Sequence, residues 1–285
     1  MGGRDSEKNE LKPHLKRQWC IGVMSSGFIA LMERLLWLYS LAYDEQYPVV
    51  CFDERPCFLT GEVVAAIPMQ TGKAAREHYS YTKNGSCCLL AAIEPLTGKR
   101  LGQVHTQRTK KEYTLFMQAL AAKYPSARRI RLVQDNLNTH NASAFYEHLP
   151  AEEAFALASR FEFYYTPKSA SWLNMIEIEF SALARQCLRR RIPTQDELEK
   201  QVLALITERE EKHITINWQF SLQTARTKLS RHYQKVNADN KLTQNDDKQS
   251  QNETLSTDVS AATATAAAVA SASAASADFR LNANP

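Results

Sequence analysis

Apolar residues recur every three or four positions after Ser25-Ser26, at Phe28, Ile29, Leu31, Met32, Leu35, Leu36 and Tyr39. This spacing predicts a helix of about four turns with a serine N-cap. A different pattern follows. Val49-Val50-Cys51-Phe52 is apolar without alternation and runs into Asp53-Glu54-Arg55-Pro56. That is the mark of a strand covered on both faces, here expected to close on Asp53 at a proline-stopped turn. Residues 62–67 predict a short strand ahead of the polar loop Gln70-Thr71-Gly72-Lys73. Residues 78–93, with Asn84-Gly85 inside them, and residues 100–105 have hairpin character and are joined by a turn at residues 95–99. The first strand and these two make an antiparallel three-stranded start.

Helices and strands then alternate. Thr109 is positioned to cap a helix whose apolar face is Tyr113, Phe116, Met117 and Leu120, and which closes before Pro125. Residues 128–136 repeat the earlier theme, an apolar strand with a carboxylate, Asp135, at its C-terminal end. A helix over 143–149, extending towards Leu157, a strand over 160–165 and a loop over 166–171 follow. Next come a helix from about Trp172 to Arg190 and another to about Glu211, which Thr194 caps and Glu197 completes as a capping box. A meander followed by alternating helices and strands is the order of the ribonuclease H-like fold, an α/β mixed sheet flanked by helices. In that fold Asp53 and Asp135 meet at one edge of the sheet.

Asp53 is the chemical anomaly. A carboxylate closing an apolar strand costs several kcal/mol in effect unless a partner, such as a metal ion, shares its charge. Phosphoryl chemistry on two metal ions needs further carboxylates. The helix after Trp172 offers two. Leu173, Ile176, Phe180, Leu183 and Cys187 share its apolar face, and Glu177 and Glu179 flank that face, each about 80° from its centre at 100° per residue. Only one can face the site, and periodicity does not choose between them.

Composition narrows the class. The chain has 285 residues, 44% hydrophobic and 9% aromatic, which suits a globular core of catalytic size. A net charge of +4 is compatible with a polyanionic partner. The six cysteines have neither zinc-finger spacing nor the density of a small secreted scaffold, so reduced, buried thiols and a reducing compartment are expected. The polar N-terminus lacks a secretory signal, and the run from Phe28 to Ala42 is too short and too charged for a membrane span. Residues 1–24 read as a basic arm or linker and 25–236 as the folded domain. Residues 237–285 are a low-complexity tail, ending in an Ala/Ser/Thr-rich stretch expected to be disordered.

Three motifs occur in order: Cys51-Phe52-Asp53-Glu54, then Gln134-Asp135-Asn136-Leu137-Asn138-Thr139-His140, then Thr166-Pro167 through Trp172-Leu173-Asn174-Met175-Ile176-Glu177. This set resembles the DDE catalytic domain of bacterial insertion-sequence transposases related to the mariner superfamily, over about residues 12–220. The resemblance implies Asp53, Asp135 and Glu177 as the catalytic, metal-binding triad, and favours Glu177 because it stands three residues after Asn174. It further implies two Mg²⁺ or Mn²⁺ ions, with Asp53 bridging them, and attack of water and then of a DNA 3′-hydroxyl on a phosphodiester. The implied partners are double-stranded DNA, as transposon ends and target, and a second copy of the chain on that DNA. The implied place is the cytoplasm, on the nucleoid when DNA-bound. Full-length relatives carry helix-turn-helix modules ahead of this domain. Only about two dozen residues precede the first helix here, so the expectation is either a separate helix-turn-helix polypeptide as a further partner or a sequence that is a fragment of a longer chain.

Basic side chains are candidates for DNA. Arg185 and Arg189 would share a helix face, continued by Arg190 and Arg191, and track phosphates, while Lys168 lies in a loop within reach. A solvated helix end explains the last three arginines equally well. His140 is a candidate to touch substrate or a water behind the metal, against the plainer role of a helix-start histidine bonded to backbone. Trp172 could stack on an unpaired base or simply pack. Two other functions stay open: an inactive remnant that binds DNA or a partner without cutting, and a ribonuclease H-like nuclease without strand transfer.

Overall fold

The computed structural model describes residues 24–137 and 140–240. Five strands form the sheet: β1 (Val49–Glu62), β2 (Tyr81–Ile93), β3 (Arg100–His105), β4 (Ile130–Gln134) and β5 (Phe161–Tyr165), in the order β3-β2-β1-β4-β5. The pairs β1–β2 and β2–β3 are antiparallel, whereas β1–β4 and β4–β5 are parallel. This is the mixed, helix-flanked sheet of a ribonuclease H-like fold. Helices α1 (Ser26–Tyr39), α5 (Ile176–Gln186) and α6 (Gln195–Glu211) cover one face, and α2 (Lys110–Lys123), α3 (Ser143–His148) and α4 (Ala151–Ser159) cover the other. Two short helices, α7 (Leu222–Lys228) and α8 (Ser230–Val236), dock near α1.

Period-two alternation divides the central strands between two cores. Cys51, Leu89, Ala91, Ile93 and Val133 pack with Leu35, Ile176, Phe180 and Leu183. Val50, Phe52, Leu90, Ala92 and Leu132 pack with Tyr113, Phe116 and Phe145 on the other side. Burial on both faces is why these strands lack polar alternation.

Several boundaries differ from the sequence expectation. β1 does not stop at Asp53 but continues to Glu62, with Pro56 opposite Cys88 of β2. Its pairing with β4 ends at Cys51, so beyond that point one edge is open and a residue without an N–H is tolerated. No strand forms over 62–67 beyond the end of β1; isolated bridges Ile67–Arg76 and Gln70–Lys73 follow instead. Asn84-Gly85 is not a hairpin turn: it lies within β2 where the register slips between Leu59 and Thr60, and Gly85 takes φ 110°, as a β-bulge requires.

Among the helices, the long helix expected after Ser143 is split into α3 and α4 by Pro150, and α5 ends at Gln186 after a separate 3-10 turn, Ser171–Leu173. Thr194 caps α6 by accepting from the Glu197 amide, but the Glu197 carboxylate accepts from Gln201 instead of closing the box. The complete capping box stands at Thr109 and Glu112. Cys51, Cys57, Cys87, Cys88 and Cys187 are free and buried. The basic arm before residue 24, the tail after residue 240, and Asn138 and Thr139 of the second motif lie outside the described residues.

Candidate active site

The register of β1 on β4 builds the site. Val49 pairs with Arg131, Val50 with Leu132 and Cys51 with Val133, and the ladder stops there. Asp53 and Asp135 each lie two residues past the last pair, so they occupy equivalent positions where the two strands part. Two residues along a strand preserve the face. Asp53 therefore follows Cys51 to the side of the sheet that α5 covers.

Asn174 links α5 to this opening. Its Nδ2 donates to the carbonyl of Phe52 at 2.8 Å, supplying a partner on the edge that β4 has left, and its Oδ1 accepts from the Ile176 amide at 3.4 Å. The Tyr39 hydroxyl donates to the Leu173 carbonyl at 2.7 Å, which holds the same turn against α1. Glu177, in the first turn of α5, is thereby brought to the parted strands.

The two glutamates differ in their partners. Glu179 is buried, at 2% exposure, and its carboxylate takes hydrogen bonds from Arg100 (3.0 and 3.2 Å) and Arg209 (2.8 and 3.1 Å). It cements α5 to β3 and α6. Among the described residues Glu177 has no such pair of cations; its carboxylate accepts from Ser171 and feels the charge of Arg55.

The electrostatics follow from this crowding. Burial, then the charges of Glu54, Asp135 and Glu177, push the Asp53 carboxyl well above the usual carboxylate range, against one hydrogen bond from the Glu54 amide (2.8 Å). Burial likewise raises Glu177, partly offset by Arg55 and Ser171. Among the described residues, no three His, Cys, Asp or Glu side chains close into a metal cage. What converges on Asp53 is negative charge from hard oxygen donors, an environment that a divalent cation relieves.

His140 is buried at the end of the sheet. It is 1% exposed, with Nδ1 2.5 Å from Asp135 Oδ1 and Nε2 2.6 Å from Glu54 Oε2, so both ring nitrogens face carboxylates. Burial would lower its pKa, but the two carboxylates prevail and push it up to about 9. Glu54, which sequence reading passed over beside Asp53, also accepts from Arg108 Nη1 at 2.8 Å. The signal for Glu54 was its position: alternation sends it to the face opposite Asp53, where an unpaired carboxylate could not stay.

The basic candidates scatter. Arg185 is exposed in the last turn of α5, but Arg189 lies past the helix end, so the two do not share a helical face. Arg190 bonds to Gln201, and Arg191 donates to the carbonyls of Ser80 and His78. Lys168 is exposed in the turn after β5. Trp172 packs edge-on against Phe220 at 5.7 Å between ring centroids, which is the packing role.

A family model described as DDE superfamily endonuclease matches residues 48–199, more than half of the chain. The chain belongs to this family. The match begins at the strand carrying Asp53 and ends within α6, so Asp53, Asp135 and Glu177 of this DDE endonuclease lie inside it. Its fold is similar to that in the crystal structure of the Mos1 strand transfer complex, with a TM-score of 0.51 and 13% identity over 83% of this chain and 68% of that one. The Mos1 mariner paired end complex with Mn gives a TM-score of 0.49 and 14% identity, over 83% of this chain and 69% of that one. No curated protein matches the DDE endonuclease. No helix among its described residues is long and apolar enough to cross a membrane.

Proposed function

We propose that this DDE endonuclease is the catalytic domain of a transposase, cutting DNA at transposon ends and joining the freed 3′ ends to a target. The observation that carries the reading is the equivalent placement of Asp53 and Asp135 beyond the last β1–β4 pair, with Glu177 delivered beside them by Asn174. Family membership and the fold shared with the Mos1 complex support it.

Asp53, Asp135 and Glu177 would hold Mg²⁺ or Mn²⁺, two ions in the full site, since all three offer hard oxygens. When bound, such ions activate an attacking oxygen and neutralise charge on the phosphodiester. The protein's own groups do the rest. Asp53, repelled by its neighbours, gains most from a shared cation. Glu177, raised by burial, is suited to take a proton from the attacking water or 3′-hydroxyl. Asn174 keeps Glu177 in register with β1. Arg185, Arg189 and Lys168, all exposed, are assigned to the DNA backbone. A dimer on paired ends, with a helix-turn-helix polypeptide reading those ends, completes the assembly in the cytoplasm.

The test is strand transfer of a pre-cut transposon end in Mg²⁺ or Mn²⁺. The wild-type chain joins it to target DNA, and Asp53→Asn and Glu177→Gln do not. Cleavage without joining points to a nuclease, no metal-dependent reaction to a remnant, and cleavage unaffected by Asp53→Asn removes the site assignment.

A further inference from the structure

We propose that His140 and Glu54 are positioning residues that fix the direction of the Asp135 carboxylate, with Arg108 anchoring the far end. The inference rests on Asp135 being a metal ligand, and it concerns what aims that ligand.

Asp135 needs aiming. β4 ends at Gln134, whose carbonyl accepts from the Thr166 amide of the chain leaving β5, and Asp135 lies beyond that bond. The side chain of Asp135 is 30% exposed, so packing alone does not set its rotamer. Its Oδ1 is held by His140 Nδ1 at 2.5 Å, which leaves the second oxygen for a cation.

His140, by contrast, is held from several directions. Its ring stacks on Tyr113 (5.1 Å between centroids) and meets Phe52 edge-on (5.3 Å). Its carbonyl accepts from Gln134 Nε2 at 2.6 Å, and Gln134 Oε1 in turn accepts from the Tyr113 hydroxyl at 2.9 Å. Swing of the ring about its Cα–Cβ and Cβ–Cγ bonds is further limited by the ion-pair contact of Nε2 with Glu54 Oε2 at 2.6 Å. Glu54 is itself buried, with a side chain 2% exposed, and its other oxygen binds Arg108. The chain Arg108–Glu54–His140–Asp135 thus runs from the residue before the α2 N-cap around the end of the sheet to the site. A histidine whose outer nitrogen is bound to a carboxylate transmits a fixed direction to the group on its inner nitrogen, and removing such outer partners typically costs about 10–100-fold in metal affinity or activity.

Isosteric variants separate positioning from space-filling. Asparagine places its amide nitrogen near the position of Nδ1 and can still reach Asp135; glutamine reaches the position of Nε2 and meets only Glu54. Mn²⁺ affinity of the full chain, measured by calorimetry and electron paramagnetic resonance, is compared for wild type, Asp135→Asn, His140→Asn, His140→Gln, His140→Ala, Glu54→Ala and the double variant Glu54→Ala/His140→Ala, each checked for folding by thermal unfolding. Asp135→Asn loses the site. His140→Gln and His140→Ala bind about 10–100-fold more weakly, and His140→Asn keeps most of the affinity. Glu54→Ala is also weakened, and the double variant is no worse than His140→Ala, because Glu54 acts through the ring. Where His140→Ala does not fold, the contrast between Asn and Gln decides. Equal affinity of His140→Gln and His140→Asn, or wild-type affinity in a folded His140→Ala, overturns the positioning role. Wild-type affinity in Asp135→Asn removes the metal-ligand reading first, and the proposal with it.

Discussion

Asn174 Nδ2 donates to the carbonyl oxygen of Phe52 across 2.8 Å, joining the turn before α5 to the residue before Asp53. Asn174 is 1% exposed, so Asn174→Ala leaves a buried acceptor without a partner, at a cost of about 1–3 kcal/mol. The same change frees Glu177 to drift from Asp53. Displacement of a reacting group by about 1 Å commonly costs about 10²-fold in rate. Metal-dependent cleavage by Asn174→Ala should therefore fall by about that factor while urea unfolding shows the modest stability loss. A rate that tracks only the unfolded fraction would show that the bond serves the fold alone.

Glu177 and Glu179 should separate cleanly on mutation. Glu179→Ala strands Arg100, which is 2% exposed, and the partly buried Arg209 without their shared anion. Removing one member of a buried ion cluster costs about 3–5 kcal/mol, so denaturant midpoints should drop sharply. Glu177→Gln removes a carboxylate that burial already disfavours, so it should leave stability level or higher and abolish cleavage. Unfolding curves and cleavage assays on the two variants check both halves. Loss of stability in Glu177→Gln comparable to Glu179→Ala contradicts the assignment.

These contrasts mark what the chain made legible. Local signals held: Ser25 caps α1, Thr109 caps α2, and Leu173, Ile176, Phe180 and Leu183 are all buried as their spacing implied. The order of elements led to the observed sheet, because a meander followed by alternation has few ways to pack. What failed depended on distant partners. Pro56 reads as a terminator only if both edges of β1 are paired, and the early end of the β1–β4 ladder removes that condition. The two glutamates flank one stripe symmetrically, and only Arg100 and Arg209, 79 and 30 residues away, distinguish them. The Asn174–Phe52 bond spans 122 positions and has no local trace. His140 and Glu54 stand inside the first two motifs, but their pairing needs the sheet end to bring them together.

A pH-sensitive contact joins the last two helices to α1. Arg226 donates to Glu33 at 2.7 and 2.9 Å, and the Tyr233 hydroxyl donates at 2.8 Å. The Arg226 hydrogen bond, against burial and aided by Tyr233, holds the Glu33 carboxyl below the usual range. A carboxyl lower in the folded than in the unfolded chain adds stability above the unfolded pKa, about 4.3. That contribution is lost as pH falls through the folded pKa. The pair is partly exposed, so the contribution is about 0.2–1 kcal/mol. Hydrogen exchange at Ala225 and Leu229 should quicken below about pH 4 relative to the intrinsic rate, and Arg226→Ala should erase that pH dependence. An unchanged profile in Arg226→Ala would assign the acid sensitivity to another carboxylate.

Asp53→Asn should have opposite effects with and without metal. In the metal-free chain ionisation of Asp53 is disfavoured by burial and by three neighbouring carboxylates, so the neutral amide should raise the thermal midpoint at neutral pH. Adding Mn²⁺ to the wild-type chain stabilises it by linkage, about 2.7 kcal/mol at a hundredfold excess over the dissociation constant. The variant, lacking the shared ligand, should not respond. Chelation should return the wild-type midpoint to its starting value and stop cleavage without unfolding, because the cores around Leu35 and Phe116 contain no metal-dependent contact. The measurement is a set of thermal melts of both chains with Mn²⁺, with chelator and with neither. A stabilising response to Mn²⁺ in Asp53→Asn equal to that of the wild type would place the ion elsewhere on the molecule.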